Sequence, residues 1–487
     1  MGDEPQPTSG PMLLASWRAD RTIGRRPKRE PRGYSPAVLT RARRPDVADG
    51  LVGVAVLTAF LTLVWLGRGL TFFADEWAIM ADRTISIDSF IQPFNEHWLG
   101  VTIVIYRLML QTFGLGTYMP YLALLAAFHV VVVLEVYVVA RRSTAAPLAA
   151  LAAVVIAFFG SGFENLFWSM QIGFLIAIAL GLGALIVLRG SPSTSRVVVA
   201  TGLLTVGMMT SGFGIFMLVL VGLDLLLDPT RRRMALALFV PGLVYVAWYL
   251  VFGRSGLATT RDPFTIDAVL SVPKFVLEGV GTAFGSVIGV GPTLGIPGAI
   301  GLAVGLIVQN VRVGHIPRRA LAAFGAIVFM YALLGLIRAQ LFDGAAEYSR
   351  YAYLSGIFAI LGLVALVGRR TMPAEPRRRT LALAAMAGVF ALALIWNGWL
   401  LLAGRGIFED RAAYTRAAVA VVLSELPLGV DPNKVKLLDR TVTRLREVIA
   451  EFGSPLADSL AGDAVPSVDP ALVERIRQDL LAQQAGH

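Results

Sequence analysis

Between residues 50 and 402 the chain is a succession of apolar runs, each about 14–24 residues long, separated by short basic stubs. The stubs are the pair Arg141 and Arg142, the triplet 231–233, the pair Arg318 and Arg319, and Arg369 and Arg370 with 377–379. A hydrocarbon layer of about 30 Å takes roughly 20 apolar residues of helix, and every backbone amide within it must be satisfied inside the segment. These runs predict an all-α, polytopic transmembrane helical bundle. Composition agrees, with 56% hydrophobic and only 16% charged residues against about a quarter charged in soluble domains. A soluble enzyme, a disordered scaffold and a secreted disulfide module are excluded. The 49 glycines and 25 prolines suit broken or closely packed membrane helices, not the short alternating strands of a β-barrel.

Charge position sets the expected topology. The net charge is +10, but the basic residues fall in an N-terminal arm and in alternate stubs, as the positive-inside bias produces. No nucleic-acid partner is expected, and the arm suits anionic membrane lipids. Three parts follow: a disordered basic cytoplasmic arm over 1–48, a transmembrane domain over 49–402, and a small helical extracytoplasmic tail domain over 403–487. About 11 spans are expected, near 50–66, 118–140, 146–159, 172–188, 197–210, 214–227, 235–252, 296–311, 321–336, 353–367 and 381–402. Residues 97–113 read as an interfacial helix on the outer face, and 253–280 as an outer loop with a short amphipathic helix. The stretch 281–295 is either re-entrant or an extra crossing. In the tail, Val435, Leu438, Val442, Leu445 and Ile449, and then Leu472, Val473, Ile476, Leu480 and Leu481, have helical apolar spacing. Cysteine is absent, which removes disulfides, thiolate nucleophiles and Cys-ligated metals.

The chemistry concentrates in the acidic first outer loop, at Phe72-Phe73-Ala74-Asp75-Glu76-Trp77. Carboxylates at membrane-interface depth must be solvated, paired or engaged with a ligand, because unpaired burial is expensive. A solvated loop face is the plain alternative. Other polar groups are expected on the same side: Glu96 and His97, Glu164 and Asn165, Arg338, and Arg350 with Tyr351. Carboxylates, arginines and aromatic rings on one face suit a phosphorylated, lipid-linked ligand, since Arg makes bidentate phosphate contacts. The bland reading of Arg350 and its tyrosines is an interfacial belt. The four histidines, His97, His129, His315 and His487, form no cluster along the chain, so a metal site is not identified. A divalent cation beside a phosphate is the one cofactor the carboxylates suggest.

With an acidic motif at Asp75 and Glu76, an interfacial helix after that loop, and Arg350-Tyr351 at the outer start of a late span, the region 50–402 resembles the C-type-fold (GT-C) membrane glycosyltransferases. Protein mannosyltransferases, aminoarabinose transferases and many bacterial relatives belong to that superfamily. The resemblance implies transfer of a sugar from a polyprenyl-phosphate donor to a cell-envelope glycan, lipid or protein acceptor at the outer face of the plasma membrane. Asp75 would then be the catalytic carboxylate and Glu76 its support, with Arg350, Arg338 and Lys274 near the donor phosphate. Trp77, Glu96, His97, Glu164, Asn165 and Tyr351 would line the substrate site. The His-Pro-Pro sequence of some branches is missing, and Asn95-Glu96-His97-Trp98 stands in its neighbourhood. The alternatives are a transporter or flippase of lipid-linked sugars or small molecules, for which the Gly- and Pro-rich run 289–301 speaks, and a non-catalytic envelope assembly partner.

Overall fold

A computed structural model describes residues 45–190, 193–256, 265–339, 344–368, 375–456 and 468–486. The N-terminal arm up to residue 44, and the stub residues Arg369 and Arg370, lie outside the described residues. In chain order the helices are α1 (Val47–Leu66), α2 (Asp75–Asp82), α3 (Ile87–Ile91), α4 (Gly100–Phe113), α5 (Met119–Arg141) and α6 (Ala146–Ala157). Then come α7 (Glu164–Phe167), α8 (Ile172–Leu188), α9 (Thr194–Thr210), α10 (Phe213–Leu226), α11 (Phe239–Val251) and α12 (Ile266–Ile288). The last are α13 (Gly291–Val313), α14 (Arg318–Arg338), α15 (Ser349–Val367), α16 (Pro376–Leu423), α17 (Val442–Phe452) and α18 (Pro470–Ala485). A single two-stranded hairpin, β1 (Lys436–Leu437) and β2 (Arg440–Thr441), interrupts an otherwise all-α bundle among the described residues.

Nine helices among the described residues are long and apolar enough to cross a membrane, α12 among them. The sequence expectation differs at both kinds of element. Spans expected at 146–159, 197–210 and 214–227 are the short helices α6, α9 and α10, of 12, 17 and 14 residues. The segment 253–280, expected as a loop with a short amphipathic helix, instead feeds the 23-residue α12. α12 ends where Gly289 adopts φ 89°, and α13 starts two residues later at Gly291. A Cβ on Gly285 would collide with the Gly291 carbonyl, and one on Gly295 with that of Gly281. Small residues thus allow two backbones to touch, which is how membrane helices pack without a hydrophobic driving force.

α1 starts sharply because Asp46 and Asp49 cap each other's backbone N–H at 3.1 and 2.8 Å. Arg141 at the end of α5 then pairs with Asp46 at 2.7 Å. At the other end of the chain the expected boundary at 402 falls inside α16, which runs unbroken for 48 residues, a length of about 72 Å. It leaves the apolar zone and carries the tail with it. Val442, Leu445 and Ile449 on α17 and Ile476 and Leu480 on α18 are buried in the same apolar core as the bundle. Leu438, placed by its spacing on a helix, sits in the hairpin turn at φ 49°.

Candidate active site

The acidic loop folds as a short helix whose first two residues are the carboxylates. α2 begins at Asp75, and its N-cap residue Ala74 takes φ 47° and contributes no side-chain cap. The helix N-terminus favours negative charge there. The two carboxylates then diverge completely. Glu76 is fully buried. Its Oε1 accepts hydroxyl protons from Tyr106 at 2.7 Å, Tyr118 at 3.0 Å and Ser169 at 2.5 Å, and its Oε2 accepts the Phe73 N–H at 2.5 Å. Burial pushes its pKa up to about 7, against the pull of those four donors. Glu76 therefore ties the loop to α4, α5 and the segment before α8.

Asp75 accepts no hydrogen bond and forms no ion pair among the described residues, and it lines a cavity of about 400 Å³. Burial raises its pKa, Asp439 adds to the rise, and Arg350, Arg440 and His97 oppose it. The cavity wall includes Asp82, Arg83, Asn95, Asp439 and Arg440, so the C-terminal hairpin closes over the acidic loop. Arg440 binds Asp82 at 2.6 Å. The four non-glycine residues with positive φ among the described residues are Ala74, Asn95, Leu438 and Asp439. Three of them line this cavity and the fourth precedes Asp439. Such conformations cost of order 1–3 kcal/mol each and collect where a site holds its groups in place.

On the other side of Phe73 lies a second cavity, of about 610 Å³, lined by Phe73, Glu164, Trp168, Tyr348, Arg350 and Arg411 among others. Arg350 lies over the rings of Tyr348 and Tyr351, at 5.0 and 5.5 Å from their centroids. Its backbone is pinned by Glu164, which accepts its N–H at 3.1 Å, and by Asn165, which donates to its carbonyl at 3.2 Å. Arg411 lies over Phe73 and Phe408 at 4.6 and 4.7 Å. Arg350 Nε and Arg411 Nη1 are buried without hydrogen-bond partners among the described residues. Two guanidiniums thus share one chamber with unused donors. Ser286 and Gly289 line this chamber, while their neighbours Val287 and Ile288 line an almost wholly apolar groove of about 370 Å³ between α6, α15 and α16.

The remaining candidates are scattered. Trp77 is fully buried in the core and lines neither cavity. Glu96 pairs with Arg338 and lies 3.5 Å from His97 Nε2. That pairing occupies Arg338, which lines neither chamber. His97 has its pKa lowered by burial and then by Arg350, with Asp75 opposing. Lys274 is 82% exposed on α12 and faces Glu278 at 3.7 Å, away from both cavities. Arg411 is the residue that sequence reasoning missed. It falls beyond the expected end of the last span, and nothing in a polar tail marks one arginine among many. No group of three His, Asp or Glu side chains suited to a metal ion occurs among the described residues.

Fold and site together define a polytopic all-α membrane bundle with two polar chambers at one end. No family model matches the chain, and no curated protein matches it. Among solved structures it is similar to the crystal structure of the Archaeoglobus fulgidus oligosaccharyltransferase in complex with Zn and sulfate, at 12% identity and a TM-score of 0.41. The match covers 76% of this chain and 55% of that one, so the chain spans just over half the length of that structure.

Proposed function

We propose that the protein is a membrane glycosyltransferase that moves a sugar from a polyprenyl-phosphate donor to a cell-envelope acceptor at the outer face of the plasma membrane. The observation that carries this reading is the chamber of Arg350 and Arg411, whose charge reaches Asp75, while the α12 residues Val287 and Ile288, next to the chamber residues Ser286 and Gly289, line an apolar groove. Two guanidiniums with free donors suit a phosphate, and the groove suits an isoprenoid chain. The strained cavity around Asp75 is the acceptor side. N-terminus inside and tail outside is the orientation that goes with it.

In this mechanism Asp75 takes the proton of an acceptor hydroxyl. The acceptor oxygen attacks the anomeric carbon from the face opposite the lipid phosphate and forms the new glycosidic bond. The bond from that carbon to the phosphate oxygen breaks, and its electron pair leaves with the lipid phosphate. Arg350 and Arg411 stabilise the charge that develops there. A carboxylate pKa raised by burial brings the base nearer its working pH.

The test is donor consumption by purified protein in lipid with an acceptor supplied. Asp75→Asn is expected to cut turnover by roughly 100-fold or more, the scale of positioned general-base catalysis, with donor binding intact. Near-normal turnover in a well-folded Asp75→Asn protein would remove the carboxylate mechanism and favour a transporter.

A further inference from the structure

The opposite end of the bundle carries a cavity that the proposed reaction does not use. It has a volume of about 400 Å³ and lies among the ends of α5, α10, α14 and α15. Arg142, Arg231, Arg318 and Arg319 line it, with Asp224 and Asp228 as the acidic residues of its wall. Behind the wall, Arg189 gives Nη2 to Asp224 at 3.0 Å, with only 5% of its side chain exposed. Its Nε and Nη1 are buried with no hydrogen-bond partner among the described residues. Five guanidiniums therefore meet two carboxylates.

Part of that excess is accounted for by helix ends. Arg142 donates to the Ile186 carbonyl at 2.7 Å, Arg231 to those of Leu188 and Arg189 at 3.2 and 3.3 Å, and Arg319 to that of Arg142 at 3.3 Å. Carbonyls at helix C-termini attract cations but carry only partial charge. Asp228 is shared by Arg231 at 3.7 Å and Arg318 at 3.5 Å. The like charges of Arg189 and Arg196, after burial, lower the pKa of Arg142. Cations held this close, with buried donors left over, are stable when an anion sits among them.

We propose that this cavity is a binding site for a phosphate group, supplied by the headgroup of an anionic phospholipid. Its depth argues for the lipid: the lining arginines stand where the apolar runs of α5 and α14 stop, which is headgroup level, and basic pockets between membrane helices hold such headgroups. The site is separate from the chamber of Arg350 and Arg411 and does not depend on the transferase reading.

The experiment is lipid binding to the full-length protein in nanodiscs of neutral phosphatidylcholine with titrated phosphatidylglycerol, read by native mass spectrometry. The double variant Arg142→Gln/Arg319→Gln is expected to bind phosphatidylglycerol about 30-fold more weakly, taking about 1 kcal/mol per basic residue. The single variant Arg318→Ala, at an exposed residue, is expected to lose about fivefold on the same scale and covers a failure of the double variant to fold. Arg377→Ala, an exposed cation outside the cavity, is expected to change little. Equal binding of phosphatidylcholine and phosphatidylglycerol by the unmodified protein would overturn the proposal. So would a loss at Arg377 as large as that at Arg142 and Arg319, which would mean diffuse surface attraction. Inorganic phosphate and glycerol phosphate are offered in the second arm. Binding of these at micromolar concentration, with displacement of the lipid and sensitivity to the same variants, would overturn the lipid as source and assign the cavity to a soluble phosphate compound.

Discussion

Removing the charge of Glu76 separates a tie from a catalyst. In the native protein one oxygen of Glu76 serves three hydroxyls and the other serves the Phe73 N–H. Glu76→Gln keeps one acceptor. With its oxygen toward the hydroxyls it turns an NH2 against the Phe73 N–H, losing one hydrogen bond, which at pH 5, where the carboxyl is protonated, costs ~0.5–1.5 kcal/mol. The pH dependence gives a second handle. The pKa of about 7 stands above the ordinary 4.5 because burial disfavours the charged form. A carboxyl raised in the folded state contributes stability that is fully present below the unfolded value and is lost as pH rises through the folded one. The difference corresponds to ~3 kcal/mol between about pH 4.5 and somewhat above pH 7. Thermal unfolding in detergent from pH 5 to 8.5 is therefore expected to show the native protein losing stability with rising pH and Glu76→Gln lacking that slope. The variant is less stable at pH 5, and the curves converge or cross by pH 8. Parallel curves would refute the assignment. Turnover of Glu76→Gln should fall well short of the ~100-fold loss expected at Asp75; equal losses with intact folding would make Glu76 a chemical participant.

Arg350→Lys and Arg411→Ala are each expected to weaken donor-lipid binding by about tenfold or more, from ~1.5–3 kcal/mol per charged hydrogen bond; unchanged affinity in both would return them to aromatic anchoring. Truncation after Gly406 removes Arg411, so donor binding should drop with it, and a fully competent truncated protein would discard the two-arginine chamber. Arg440→Ala is expected to raise the acceptor KM while donor affinity stays, and the reverse pattern would exchange the roles of the two cavities. Reporter fusions near residues 229 and 315 should report the cytoplasmic side and a fusion at the C-terminus the outer side, and a shared side would break the orientation.

The all-α polytopic fold was legible because bilayer thickness fixes the length of an apolar run, whatever the packing inside it. Three of the expected spans are helices too short to count as full crossings, since α6, α9 and α10 end at Phe158, Ser211 and Leu227 while apolar residues continue past some of those breaks. Hydropathy measures composition and does not see a turn made inside an apolar stretch. The acidic motif was legible as a place, but not the division between its members. Asp75 and Glu76 are neighbours in sequence, and only the hydroxyls of Tyr106, Tyr118 and Ser169, 30, 42 and 93 residues away, decide which one is buried. Arg411 carried no signal at all. Its place beside Phe73 follows from α16 continuing past the apolar zone, and a helix of ordinary polar residues gives no notice of where it will dock.

That continuation makes the tail part of the site's construction. Arg405 donates to the Leu66 carbonyl at 2.9 Å and Arg416 to that of Gly69 at 2.8 Å, which fixes the chain on its way from α1 into the acidic loop. Arg444 on α17 holds the Ala81 carbonyl at the far end of α2. The Leu115 N–H donates to the Phe452 carbonyl at 2.8 Å, so the end of α4 is tied to the end of α17. Arg440 closes the circle on Asp82. A loop held at Ala74 and Asn95 in conformations that ordinary side chains avoid would relax unless its surroundings over-determined it. These ties, together with the four donors on Glu76, supply that constraint from both ends of α2. Asp75 then has its helix fixed while its own carboxylate has no partner among the described residues, which is the condition a positioned base requires.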